Sequence, residues 1–195
     1  MIQLLRNLWR TRGGTASIEF AFALPVLLVM FMGVFEVSQA LIVYMQVIDV
    51  ADTVSDLVSQ QRQISTTDID NYYTAGQLVM TPHAPAGLGL AIASVTFDGT
   101  TGNPSIAWQV VEGGATAMTA ADLQAAVIPK GTSLGGACSP PAANPCNSVI
   151  VAQANYTYNS ALSYLIQQPI AMSARVFSRP RAVFVIPCTS SPCTN

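Results

Sequence analysis

The stretch from Ile18 to Ile48 carries much of the apolar excess of the chain and constrains its fold more than any other feature. Its strictly uncharged part, Phe20–Phe35, would cover about 24 Å as a helix, against a hydrocarbon core of about 30 Å. Extension toward Tyr44 covers the remainder, with Glu36 near the outer boundary, so the sequence predicts a transmembrane segment over about 18–44. The charges around the run are asymmetric. Arg6, Arg10 and Arg12 precede it with no acid before Glu19, whereas Asp49, Asp52 and Asp56 follow it. That is the positive-inside pattern, which keeps the N-terminus cytoplasmic and exports the rest.

Beyond the run the chain reads as an ordinary small domain of roughly a hundred residues, enough for one modest core. The net charge of −2, with no basic stripe interleaved with aromatics, argues against a nucleic-acid partner. The four cysteines, Cys138, Cys146, Cys188 and Cys193, all lie in the exported part, where an even number suggests disulfides. Of the three pairings, the local ones, Cys138–Cys146 and Cys188–Cys193, are favoured because each closes a short loop containing Pro and Ser. Zinc is the rival reading, weakened by the lack of a CxxC pair and by the sequence distance of the single histidine, His83.

Three readings compete for the N-terminus. A conventional signal peptide could be cut near Ser38-Gln39-Ala40, but its apolar core is normally about 7–15 residues and free of acids, and here Glu19 and Glu36 intervene. An uncleaved anchor explains the hydrophobicity but not the position of Glu19. The third reading starts from Arg12-Gly13-Gly14-Thr15-Ala16-Ser17-Ile18-Glu19-Phe20. A cut after Gly14 makes Glu19 the fifth residue of the mature chain, followed by an aromatic.

That arrangement resembles the processing site of type IV pilins and pseudopilins. The wider pattern, Gly14-x-Ala16-x-x-Glu19-Phe20-Ala21-x-x-x-Pro25 followed by an apolar run and Glu36, resembles the TadE-like family of Flp/Tad pilus systems over about residues 12–40. The resemblance implies cleavage by a prepilin peptidase at Gly14 and Thr15 and an assembly role for Glu19. Pro25 removes the hydrogen bond to the Ala21 carbonyl and kinks the axis, and the resemblance implies that this bend serves packing. Implied partners are the bacterial inner membrane, the prepilin peptidase, a Flp-type major pilin, other TadE/TadF-like pseudopilins and the Tad assembly platform. The head would be periplasmic, with incorporation in an extracellular pilus as a further expectation. No cofactor is implied. Two other functions stay open: an uncleaved single-pass scaffold of the secretion apparatus, and a surface adhesin.

After Glu36 the pattern turns amphipathic, with Val43, Val47, Val50, Val54, Leu57 and Val58 at helical spacing. One helix is expected from about Ala16 to about Arg62, some 70 Å at about 1.5 Å per residue. The domain plan is a basic leader (1–14), the long helix (15–64), a short helix capped near Ser65–Asp68 with a linker (65–88), and a β-rich head (89–195). Strands are expected at Leu90–Phe97, Ile106–Val111, Ser148–Tyr158 and Ile170–Phe177, with a short helix over Ala120–Val127 capped by Thr119. Residues 129–147 read as a long loop, and Arg179 and Arg181 as solvated charges flanking a turn. The expected class is α+β and pilin-like, a long, partly transmembrane N-terminal α-helix packed on an antiparallel β-sheet of about four strands. No enzyme is expected: phosphate-loop, nucleophile-elbow and HExxH motifs are lacking, and the head holds few acids, Asp98, Glu112 and Asp122.

Overall fold

A computed structural model describes residues 15–83, 85–97, 104–125, 148–160, 162, 166–189 and 193. The chain divides into two compact units, Met1–Ala40 with Ser160–Gln168, and Leu41–Asn159 with Pro169–Asn195. The architecture is α+β. A 45-residue helix α1 (Thr15–Ser59) leads into α2 (Thr66–Val79), a short 3-10 turn (Pro85–Gly87), β1 (Leu88–Phe97), β2 (Pro104–Glu112), α3 (Ala120–Ala125), β3 (Ser148–Tyr158) and β4 (Ile170–Ser178). The expected Cys138–Cys146 pair, the turn cluster after β1 and the loop at 129–147 lie outside the described residues.

Helix α1 ends at Ser59, not near Arg62, because its last carbonyls find partners there. The Ser59 hydroxyl donates to the Asp56 carbonyl at 2.8 Å, and the Arg181 amide donates to the Ser59 carbonyl at 2.8 Å. The Arg181 guanidinium also pairs with the Asp56 carboxylate, although both side chains remain exposed. The Arg181 charge thus stays largely solvated with a surface ion pair that adds little, while its backbone terminates the long helix. Ser65 then starts α2 in a reciprocal capping box. Its hydroxyl accepts from the Asp68 amide, and its own amide donates to the Asp68 carboxylate at 2.9 Å. The Ser65 hydroxyl also donates to that carboxylate at 2.6 Å, and this bond first, with the amide second, holds the Asp68 carboxyl below its ordinary pKa. Thr119 and Asp122 repeat the device at α3, with Thr119 likewise lowering the Asp122 pKa.

The four strands form one antiparallel sheet in the order β2-β1-β3-β4. Every residue of the central strand β1 is buried, so one covered sheet face does not describe the head. Ala91, Ala93, Val95 and Phe97 on one face cluster with Val149, Val151, Met118 and Leu123, the last two supplied by the segment leading into α3 and by α3 itself. Leu90, Ile92, Ser94, Ile150, Ala152 and Ala154 lie buried on the other face. Beside them Trp108 donates its indole N–H to the Ile186 carbonyl at 2.7 Å, so the C-terminal segment is bonded to the sheet. That segment also meets Ile64, whose amide and carbonyl bond Pro187 and Thr189.

In the same unit α1 buries Val43, Val47, Val50, Ala51, Val54 and Val58 completely, the stripe expected from the spacing except that Leu57 is only half-buried. A Cβ at Gly76 of α2 would lie 3.2 Å from Val50 Cγ1 and 3.5 Å from Leu88 Cδ2, so a side chain larger than hydrogen would not fit without repacking.

The turn after β2 yields a stability prediction. Gly113 and Gly114 have φ of 63° and 75°, and the Ala115 amide donates to the Glu112 carbonyl at 3.2 Å. These are the features of a turn that requires positive φ at both central positions. A Cβ at Gly114 meets nothing within 4 Å, whereas one at Gly113 runs into the Leu88 carbonyl, which already accepts the Tyr73 hydroxyl at 3.0 Å. Gly114→Ala should cost about 1 kcal/mol, the left-handed backbone penalty alone. Gly113→Ala adds overpacking and should cost about 2–3 kcal/mol. Denaturant midpoints of the detergent-solubilised chain check this; equal shifts for both variants contradict it.

Candidate functional site on the N-terminal helix

Thr15, Glu19, Phe20 and Pro25 all lie in the first three turns of α1, which contains Pro25 in its interior. Gly14 lies outside the described residues. Glu19 is exposed, and among the described residues no ion pair reaches it. Cys188 and Cys193 are joined by a disulfide near the C-terminus, with Cα atoms 6.4 Å apart, and belong to the other compact unit. Among the described residues no group of three His, Cys, Asp or Glu side chains gathers as a metal site.

The first half of α1 is exposed nearly all round. Phe22 is 79% exposed, Phe31 70% and Val34 67%, values that place a hydrophobic helix in lipid or against other chains. One helix among the described residues, Ser17–Ser59, is long and apolar enough to cross a membrane, and its most apolar window has a mean hydropathy of 2.3. The exposure does not stop where a membrane would. Val37, Leu41, Ile42, Tyr44, Met45 and Ile48 remain exposed beyond Glu36. From Ile18 to Ile48 the apolar surface runs about 46 Å, and a hydrocarbon core accommodates about 30 Å.

This surface is ordered. Leu27, Met30, Val34, Val37, Leu41, Tyr44 and Ile48 are all exposed and recur at alternating spacings of three and four. That is the repeat of a seam that packs against another helix. The covered positions of α1, among them Gly33, Glu36, Ala40, Val43, Val47 and Val50, keep the same alternation one residue earlier, about 100° round the helix. From Val34 onward each seam residue thus sits beside a covered one and is itself left open. Around Gly33 the seam opens into an almost wholly apolar groove of about 450 Å³ lined by Val29, Met30, Val34, Val37 and Ser38. The sequence carries the signal for this seam, but its apolar positions up to Tyr44 fall within the expected membrane span.

Glu36 behaves differently from Glu19. It is 1% exposed, and its carboxylate accepts the Ser160 hydroxyl at 3.2 Å and the Ile166 amide at 3.0 Å, all within one compact unit. Burying a carboxylate is costly unless such donors replace water, and here the β3–β4 connection supplies them. Sequence reasoning placed Glu36 at a water boundary and missed its partners, which lie more than 120 residues away.

Residues 14–56 match the family model described as TadE-like protein, a span that opens at the glycine of the expected processing site and contains Glu19, Pro25 and Glu36. No curated protein and no solved structure shows a significant match. Over residues 14–56 the chain is therefore similar to TadE-like proteins, the family its sequence motif resembles.

Proposed function

We propose that the chain is a minor pilin or pseudopilin of a Tad-type apparatus, processed after Gly14 and carried into a helical bundle by α1. The observation behind this reading is the length of the exposed apolar surface. Lipid covers about 30 Å of a surface that runs about 46 Å, and the remainder carries a helix-packing seam. A plain membrane anchor has no use for that excess; a subunit whose helix joins a bundle does.

Glu19 fits the same reading. Cleavage after Gly14 exposes a new α-amino group on Thr15, which is mostly protonated at neutral pH. In a bundle of such helices that amine meets the Glu19 carboxylate of a neighbour, and two charges that are expensive in a medium of low dielectric constant satisfy each other. Such a pair sets axial register more than it adds net stability. The exported head, too large for a bare Flp-like subunit, presents contacts outside the membrane. Joining, priming or capping a filament are the roles that suit it.

The test is the mass of the protein extracted from membranes. The expected N-terminal residue is Thr15. Retention of Met1 would leave a tethered scaffold, and a start at Leu41 would mark a conventional signal peptide; either result refutes processing at Gly14.

A further inference from the structure

We infer that Leu162, in the connection between β3 and β4, is a second membrane contact, seated near the outer lipid–water boundary with Glu36 fixing its depth through Ser160 and Ile166. This rests on the proposed membrane insertion of α1. Four observations carry it. Ser160–Gln168 belongs to the same compact unit as the membrane-embedded half of α1, although the strands it joins belong to the other unit. Two of its residues, Ser160 and Ile166, donate hydrogen bonds to the buried Glu36 carboxylate. Glu36 lies about 25 Å along the helix from Glu19, so with Glu19 at the inner edge of the hydrocarbon, Glu36 comes within about 5 Å of its outer edge. Between the two donors Leu162 is 51% exposed, in a sequence without a charged residue from Asn159 to Ala174.

The chemistry follows from that depth. A carboxylate at the outer edge of a bilayer needs donors that lipid tails cannot supply, and the β3–β4 connection brings a hydroxyl and an amide. The same bonds hold Ser160 and Ile166 near the level where headgroups meet acyl chains. There an uncharged segment with an outward leucine gains from burial, whereas a charged loop would be repelled from the hydrocarbon.

The experiment uses the full chain with Trp9→Phe, reconstituted in phosphatidylcholine–phosphatidylglycerol vesicles whose acyl chains are brominated close to the glycerol. Bromine quenches tryptophan only at short range, and Trp108 is buried in the head and serves as a constant background. Leu162→Trp should lose most of its added emission. Leu78→Trp, at an equally apolar position 69% exposed on α2, should keep it. Phe31→Trp, quenched by bromines deeper in the chain, reports insertion of α1 itself. Quenching of Phe31→Trp without quenching of Leu162→Trp overturns the inference and leaves the span intact. Failure of both overturns the span and the inference together. Glu36→Ala should release Leu162→Trp from quenching; undiminished quenching there removes Glu36 as the depth-setting group.

Discussion

Glu19→Ala is expected to remove the protein from filaments while leaving it in the membrane. The substitution raises the hydrophobicity of an already apolar segment, so insertion should be unimpaired or improved. In the bundle, however, it strands the α-amino group of a neighbouring Thr15 without its carboxylate. Removing one partner of a buried ion pair costs about 3–5 kcal/mol, because the other charge stays desolvated. At about 1.4 kcal/mol per tenfold, incorporation should fall by at least about a hundredfold. The measurement is the ratio of protein in the sheared surface fraction to protein in the membrane fraction. Glu19→Asp should recover part of the loss, since the charge is kept on a shorter arm. Wild-type incorporation by Glu19→Ala would refute the pairing and favour a scaffold that never leaves the membrane.

The two acids of the apolar run show how far sequence reaches. The family pattern around Glu19 was legible because it is local: Glu19 is the fifth residue after Gly14, and the arginine leader and Pro25 lie nearby in the chain. Glu36 was not, since its surroundings are set by Ser160 and Ile166, donors brought in by the β3–β4 connection. The same distinction runs through the fold. The amphipathic stripe from Val43 to Val58, the Ser65 capping box, the Thr119 cap and all four strands follow from spacing and turn chemistry. The cover on the Ala91–Phe97 face of β1 depends on where Met118 and Leu123 come to rest, and the role of Arg181 as the stop of α1 depends on the return of the C-terminal segment. Both are long-range facts that no local pattern encodes. The Gly113-Gly114 turn is an intermediate case. A pair of glycines was visible, but which of them had no room for a side chain was decided by the Leu88 carbonyl.

Leu41→Asp is expected to separate assembly from folding. Leu41 is 54% exposed and lies about 33 Å along α1 from Glu19, so with Glu19 at the inner edge of the hydrocarbon, as proposed, the new carboxylate would face water in an isolated subunit. It leaves the buried stripe of Val43, Val47 and Val50 untouched. Surface substitutions of this kind usually change stability by no more than about 0.5 kcal/mol, and the denaturant midpoint should move accordingly little. In a bundle the same position belongs to the packing seam with Val37, Tyr44 and Ile48. There the carboxylate would be desolvated with no cation opposite it, at a cost of several kcal/mol, and incorporation should fall by about a hundredfold or more. Asp49→Ala, a change on the exposed acidic face, provides the contrast and should assemble normally. The comparison is decided by two readings on each variant, the denaturant midpoint in detergent and the sheared-to-membrane ratio in cells. A Leu41→Asp protein that folds and assembles like wild type would mean that the apolar surface beyond the membrane has no helical neighbour, and the excess length of α1 would lose its explanation.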